Sequence, residues 1–267
     1  MMIKRIVLIT ISVFLLSSVT YAGSIGNKVE PIGDMKFAAV AEGNFIFDRD
    51  IKAGGSSTSG STITSFEFSE VNQEYAKLIM GVTDYVNIYT KLGGSKIGEA
   101  KLKFSSGEDV KFESDHNFLY GGGFNAVYKL GNKEKYFIGL NGDFSFYEVD
   151  TEKLDITTGA SVSNVSGEIK NKEYQLGGYA GTRMDINDNV AFVPYAGIFW
   201  NKFNTKTDGI KYTISGTGYT LTYDNDADDE VGVGIGADVE LFKNFTLNIE
   251  GRFAAGNAVS FGGTYKF

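Results

Sequence analysis

Apolar and polar residues alternate with a period of two through most of the chain, most regularly near its C-terminal end. The alternation puts five residues on one face of the last segment: Val259, Phe261, Gly263, Tyr265 and Phe267. Successive side chains of an extended strand point to opposite faces, so the pattern predicts strands with one apolar and one polar or small face. The same alternation predicts strands at residues 231–241 and 245–253.

Seven earlier segments show the same alternation less regularly and bring the prediction to ten strands. They are residues 37–47, 76–82, 86–92, 118–130, 136–146, 176–184 and 190–203. The last of these is apolar on both sides, so its facing stays open. Pro194 lies within it and is expected to break a ladder bond unless the strand bulges there.

The connections between these segments alternate in length. Short links with turn residues lie at 83–85, 131–135, 185–189 and 242–244. Long polar stretches, predicted to be loops, lie at 52–62, 105–115, 151–170 and 204–229. The link at 254–257 is the one exception, since it is short where the alternation calls for a long loop.

Two all-β architectures fit a period of two, a soluble sandwich and a closed membrane barrel. The alternating link lengths favour a barrel, because outer-membrane barrels have short periplasmic turns and long external loops. Small residues mixed with both signs of charge suit a narrow lumen, and we predict these lumenal charges: Lys77, Lys91, Arg183, Asp238, Glu240, Glu250 and Arg252. The sequence therefore predicts one antiparallel transmembrane barrel over residues 35–267, of ten strands or alternatively eight, with both termini periplasmic.

The N-terminus has the order of a secretory signal peptide. Lys4 and Arg5 precede an apolar run, and small residues lead up to Ala22. We predict a signal peptide over residues 1–22, cleavage between Ala22 and Gly23, and a short periplasmic segment over residues 23–34. The alternative, a membrane anchor, fits less well because the apolar run is short for a span.

Composition narrows the classes further. The chain has 14% aromatic residues, which argues against disorder, and no cysteine, which excludes disulfides and a lipoprotein anchor. Its net charge of −8 makes nucleic acid a poor partner.

Three motifs suggest chemistry, and each has a simpler interpretation. Asp115 and His116 form an acid–histidine pair near a strand end, but sequence neighbours on a strand face opposite ways, so an exposed rim histidine is expected. The acidic run at 224–230 lacks the glycine and the twelfth-position carboxylate of an EF-hand. A solvated loop is the preferred interpretation, and a loose divalent-cation site is the alternative. The glycine run at 232–236 lacks the spacing of a phosphate loop. We expect no catalytic, cofactor or metal site.

The last nine residues, with aromatics at 261, 265 and 267, resemble the C-terminal strand signal of bacterial outer-membrane barrels. The chain as a whole resembles small barrels of the opacity-protein and outer-membrane-protein-A transmembrane type, although those have eight strands. The resemblance implies that the barrel-assembly machinery recognises Phe261, Tyr265 and Phe267, and that outer-membrane lipid and lipopolysaccharide surround the barrel.

Three functions follow as hypotheses. The first is a non-enzymatic surface protein with a largely filled lumen that contributes to envelope structure, adhesion or host interaction, with its loops free to bind an extracellular ligand. The second is a narrow channel for small solutes. The third is a rim hydrolase or lipid-modifying enzyme, since an acid–histidine pair at the outer rim resembles the ten-stranded omptin proteases.

Overall fold

The computed structural model describes residues 31–57, 60–131, 135–156, 162–227, 230–242 and 244–267. The signal peptide and its cleavage site at Ala22 and Gly23 lie outside the described residues and stay predictions. Within the described part of the chain, no helix has the length and hydropathy needed to cross a membrane.

The described residues form sixteen strands in one sheet. In chain order they are β1 (Phe37–Phe47), β2 (Arg49–Ile51), β3 (Ser56–Ser57), β4 (Ile63–Gly81), β5 (Val86–Phe104), β6 (Asp109–Ser114), β7 (Asn117–Leu130), β8 (Tyr136–Ile156), β9 (Val162–Ser166), β10 (Glu168–Thr182), β11 (Met184–Asn187), β12 (Val190–Ile214), β13 (Thr217–Asp226), β14 (Val231–Leu241), β15 (Phe245–Ala254) and β16 (Asn257–Lys266).

Ten of these strands close into a ring of antiparallel neighbours. The order is β1, β4, β5, β7, β8, β10, β12, β14, β15 and β16, and β16 pairs back onto β1 from Ala38↔Lys266 to Phe47↔Asn257. A closed ring leaves no unpaired strand edge, as a sheet inside a bilayer requires. The prediction of a ten-stranded barrel is confirmed, and the alternative of eight strands is excluded.

The strand with two apolar faces, β12, now has an assigned orientation. Its outward residues Ile198 and Trp200 are exposed, whereas Tyr195 and Phe199 are buried inside the barrel. Pro194 does interrupt the ladder, but without a bulge in β12. The pairing with β12 keeps the same register before and after Pro194, first with β10 and then with β11. Only Arg183, between β10 and β11, is not part of a strand, and it donates its backbone N–H to Lys135 O at 2.7 Å.

The end with the short turns also holds both termini of the described chain. Phe267 donates its backbone N–H to Phe37 O at 3.0 Å there. Ile32 folds back into this opening, is buried against Ala38 and Val40, and donates its N–H to Asn87 Oδ1 at 3.2 Å. The periplasmic mouth of the barrel is thus partly occupied by the segment that precedes the first strand.

At the other end, the predicted long loops are largely strands, which corrects the sequence analysis. β6, β9 and β13 fall within the stretches taken as loops, and β8 and β12 extend into them to lengths of 21 and 25 residues. Their inward side chains form an apolar cluster whose largest fully buried members include Phe66, Phe68, Phe112, Tyr147 and Tyr223. We call this structure the extracellular cap. The loop prediction failed because short strands such as β6 carry only two or three apolar positions.

The outer surface changes character where the cap begins. Below that level it is an apolar belt of exposed side chains, among them Leu92, Tyr120, Leu140, Leu176 and Ile235. Above it the outward positions carry charges that pair across strands, for example Lys111 with Glu99 at 2.9 Å. Hydrocarbon therefore faces the belt and water faces the cap.

The ring strands differ in height at the cap end, and β2 and β3, which follow β1, join the cap by pairing with β4 and β13. β14, β15, β16 and β1 have 10 or 11 residues and end near the top of the belt, whereas β4, β5, β8 and β12 continue for 19 to 25 residues. The link between β15 and β16, which is short although it lies at the end with the long connections, joins two of these shorter strands.

Candidate functional site

The inside of the membrane-spanning part is lined by polar side chains that pair with one another. Lys77 on β4 forms an ion pair with Glu42 on β1 at 2.7 Å, and both side chains are at most 2% exposed. Lys91 on β5 pairs with Asp143 on β8. Buried charges are destabilising unless they are paired, and these pairs between nearby strands of the ring meet that requirement.

Two tyrosines join these pairs into one cluster, which we call the central network. Tyr75 Oη donates to Glu42 at 3.1 Å, and Tyr89 Oη donates to Asp143 at 2.8 Å. The Lys77 ammonium lies 4.9 Å from the centre of the Tyr89 ring, and the Lys91 ammonium lies 5.0 Å from that of Tyr75. Each ammonium therefore has a carboxylate and an aromatic face as partners.

Nearer the cap, two arginines cross the lumen. Arg49 pairs with Glu173 at 2.9 Å and lies 4.5 Å over the ring of Phe203. Arg252 donates to Gln175 Oε1 at 3.0 Å and to Asn44 Oδ1 at 2.8 Å. These contacts link β15 to β10 and β1, on opposite sides of the ring.

Sequence reasoning missed Arg49 and Glu173. The period of two in β10 continues from Gln175 to Glu173, so the sequence does indicate that Glu173 faces inward. For Arg49 the period misleads, because Asp48 adopts a positive φ of 57° that turns the following residue inward.

The predicted lumenal charges all lie on the inner face of the ring, at different depths. Lys77 and Lys91 belong to the central network, and Arg252 lies above it. Buried Asp238 and Glu250 accept hydrogen bonds from Asn248 and Tyr195 respectively. Arg183 and Glu240 pair at the periplasmic mouth, and Arg183 also pairs with Asp185 at 2.8 Å.

Inward glycines make room for aromatic rings that lie against the wall. A Cβ on Gly139 would come within 2.2 Å of the Tyr179 ring, and one on Gly232 within 2.4 Å of Phe199. The glycine run at 232–236 therefore serves packing, in agreement with its failure to match a phosphate loop. Tyr179, Tyr195 and Phe199 fill the lower lumen together with Phe137.

Asp115 and His116 form no convergent site. Both are exposed at the junction of β6 and β7, and His116 packs on the outer surface over Gly94. The acidic run divides as well: Asp224 pairs with Lys206 at 3.5 Å and Asp226 with Lys202 at 3.7 Å. Asp228 and Asp229 lie outside the described residues. No cluster of three or more acidic, histidine or cysteine side chains placed to hold a metal occurs in the described part of the chain.

The closed ring, the apolar belt and the polar interior together define the class of protein. Barrels of antiparallel strands with short turns on one side and long segments on the other belong to the outer membranes of Gram-negative bacteria. The protein is a small outer-membrane β-barrel with an extracellular cap.

Three solved structures illustrate what the chain is similar to. The outer membrane protease OmpT from Escherichia coli has a TM-score of 0.49 and 8% identity, covering 87% of this chain and 97% of its own. The translocator domain of the autotransporter NalP from Neisseria meningitidis has a TM-score of 0.48 and 12% identity, covering 91% of each chain. The outer membrane protein OprG from Pseudomonas aeruginosa has a TM-score of 0.37 and 13% identity, covering 89% and 99%. No family profile and no curated protein matches the chain.

Proposed function

We propose that the protein is a non-conducting, non-enzymatic barrel that displays its extracellular cap at the cell surface and contributes to envelope structure, adhesion or host interaction. One observation supports this proposal: buried side chains reach into the lumen in its periplasmic, middle and cap parts. Ile32 and the aromatic rings occupy the periplasmic part, the central network the middle, and the apolar cluster the cap.

The cap is suited to contact with other surfaces. Its apolar core makes it a packed body, and its outward side chains carry both signs of charge in cross-strand pairs such as Lys153 with Glu113 at 3.0 Å. Lipopolysaccharide is the proposed partner around its base, and an extracellular ligand is the proposed partner of its outer surface. The barrel-assembly machinery is the proposed partner of the C-terminal strand during folding.

Planar bilayer recording of the refolded protein tests the filled lumen. The native protein is expected to give no reproducible conductance steps. A variant that shortens both crossing arginines, Arg49→Ser with Arg252→Ser, is expected to raise the frequency of openings, because both guanidinium groups span the lumen. Lys153→Ser, on the outer surface of the cap, is the control.

Reproducible native conductance that depends on solute size would replace the proposal with the narrow channel. A hydrolytic activity of the purified protein that is lost in His116→Ala would instead support the rim enzyme. Cells that lack the protein are expected to become more sensitive to detergent or less adherent, and unchanged behaviour in both assays would contradict the proposed role.

A further inference from the structure

The apolar belt contains a groove on its periplasmic half. It has a volume of about 820 Å³ and crosses β8, β10 and β12 on the outer wall. Its floor and walls include Gly178, Ala180, Ala196, Leu140 and Ile198.

The strand register explains the shape of this groove. Gly178 lies between Leu140 on β8 and Ile198 on β12, and Ala180 lies opposite Ala196. Leu140 and Ile198 are more than half exposed, so they stand above a floor of small residues.

The packing of the barrel does not require the smallest of these residues. A Cβ on Gly178 would have only ordinary contacts, the nearest being Leu140 Cδ2 at 3.7 Å. Gly139 on the neighbouring strand differs, since its Cβ would overlap the Tyr179 ring inside the barrel. The outward glycine at 178 therefore leaves space on the membrane side of the wall. The inward glycines, in contrast, leave space for aromatic rings of the protein itself.

The two ends of the groove indicate what occupies it. Its periplasmic end reaches Tyr85 and Tyr128, whose rings are 6.0 Å apart. Tyrosines are common at the level of lipid headgroups. Lys135 is exposed at the start of β8, at the same rim, and offers a positive charge to a phosphate. The remainder of the groove lies inside the belt, where hydrocarbon is the surrounding medium.

We propose that this groove binds one acyl chain of a phospholipid of the periplasmic leaflet, with the lipid phosphate near Lys135. Within a bilayer every apolar surface is covered by lipid, so a preferred site depends on shape and headgroup contacts. The groove supplies side-chain contacts on its floor and both walls, which a smooth part of the belt does not.

Native mass spectrometry of the barrel released from phosphatidylethanolamine nanodiscs tests the site. The native protein is expected to retain one phospholipid. Ala196→Leu and Gly178→Leu fill the groove, and each is expected to lower the retained fraction by about fivefold through lost van der Waals contact. Lys135→Gln is expected to lower it by about threefold, the size of an exposed charge contact.

The matched control is Ala41→Leu, an outward alanine of β1 on the opposite side of the ring. It is expected to retain lipid like the native protein, and heat-modifiable gel migration checks that all variants are folded. Equal retention in the native, Ala196→Leu, Gly178→Leu and Ala41→Leu proteins would overturn the proposal. A native dimer that Ala196→Leu converts to a monomer would overturn it too, and would assign the groove to a second copy of the chain.

Discussion

Lys77 and Glu42 form an ion pair at 2.7 Å between β4 and β1, in the interior of the barrel where water is largely excluded. Removing the Lys77 ammonium leaves the Glu42 carboxylate buried without its cation, although the Tyr75 hydroxyl still donates to it. We expect Lys77→Met to destabilise the barrel by about 3–5 kcal/mol, as is usual for a broken buried pair.

Urea unfolding in detergent micelles measures this effect. Lys153→Met is the control, because Lys153 pairs with Glu113 at 3.0 Å but both side chains are exposed. Exposed pairs contribute about 0–1 kcal/mol. If the two variants lost the same stability, the central network would not be a closed, dry cluster.

Inward and outward glycines are expected to respond differently to the same substitution. Gly139→Ala places a Cβ within 2.2 Å of the Tyr179 ring, whereas Gly178→Ala meets only ordinary contacts. Overpacking costs about 1–3 kcal/mol, so Gly139→Ala should lower the unfolding midpoint and Gly178→Ala should leave it nearly unchanged. Equal midpoints for the two variants would show that Tyr179 does not rest on Gly139.

A cavity in the core of the cap is expected to unfold the cap while the ring in the membrane stays folded. Phe112 is 1% exposed and packs near Phe66, with ring centres 6.3 Å apart. Phe112→Ala removes about 3–5 kcal/mol of core packing. Proteinase K added outside intact liposomes should then cut the cap while the membrane-spanning strands stay protected.

The neighbouring variant Lys111→Ala, on the outer face of β6, is the control for this experiment and should leave the cap resistant. Loss of the whole barrel from the membrane in Phe112→Ala would contradict a cap that unfolds on its own.

Acid is expected to loosen the cap through Glu99. Hydrogen bonds from Lys111 and Lys101 hold the pKa of this carboxyl below its ordinary value of 4.5. A lowered pKa in the folded state stabilises the fold above the unfolded-state pKa, and the stabilisation is lost as pH falls through the folded-state pKa.

Hydrogen exchange of β5 and β6 should therefore stay constant from neutral pH down to the ordinary Glu pKa and increase below it, after correction for intrinsic exchange. Glu99→Gln should reduce this pH dependence. The effect is small because the group is exposed. An unaltered pH dependence in Glu99→Gln would exclude this carboxyl as its source.

The C-terminal aromatic residue is expected to matter for assembly more than for stability. Phe267 is exposed on the outer side, and its ring lies 5.6 Å from that of Tyr265. Phe267→Ala should lower the folded fraction in cells, measured by heat-modifiable migration, while refolding in detergent stays normal. Phe253→Ala, an exposed aromatic of β15, is the control. Equal losses in cells and in detergent would contradict an assembly signal.

The ring could be predicted from the sequence because lipid imposes a strict pattern. Phe261, Leu247 and Ile235 must face hydrocarbon, so their polar or small neighbours must face the lumen, and the period of two is preserved. The cap was not predicted, because its outer face meets water and tolerates any polar residue. Val110 and Phe112 alternate on β6 as clearly as ring residues do, but over too few positions to distinguish a strand from a loop.

The lumen was predicted in part for a similar reason. Lys77 and Lys91 lie on strands whose opposite face is apolar, so the alternation identifies them as inward charges. Arg49 cannot, because the positive φ of Asp48 shifts the alternation by one residue. Which carboxylate pairs with which ammonium depends on strand order and stagger, and a single sequence does not contain that information directly.

The one-sided height of the barrel has a consequence for how neighbouring molecules approach it. Over β14, β15, β16 and β1 the ring strands have only 10 or 11 residues, so the wall of the ring ends low beside the hairpin at 254–257. Over β4, β5, β8 and β12 the strands have 19 to 25 residues and rise well above that level. A molecule that approaches along the membrane surface would therefore meet a low wall on one flank of the ring and a tall protein face on the other.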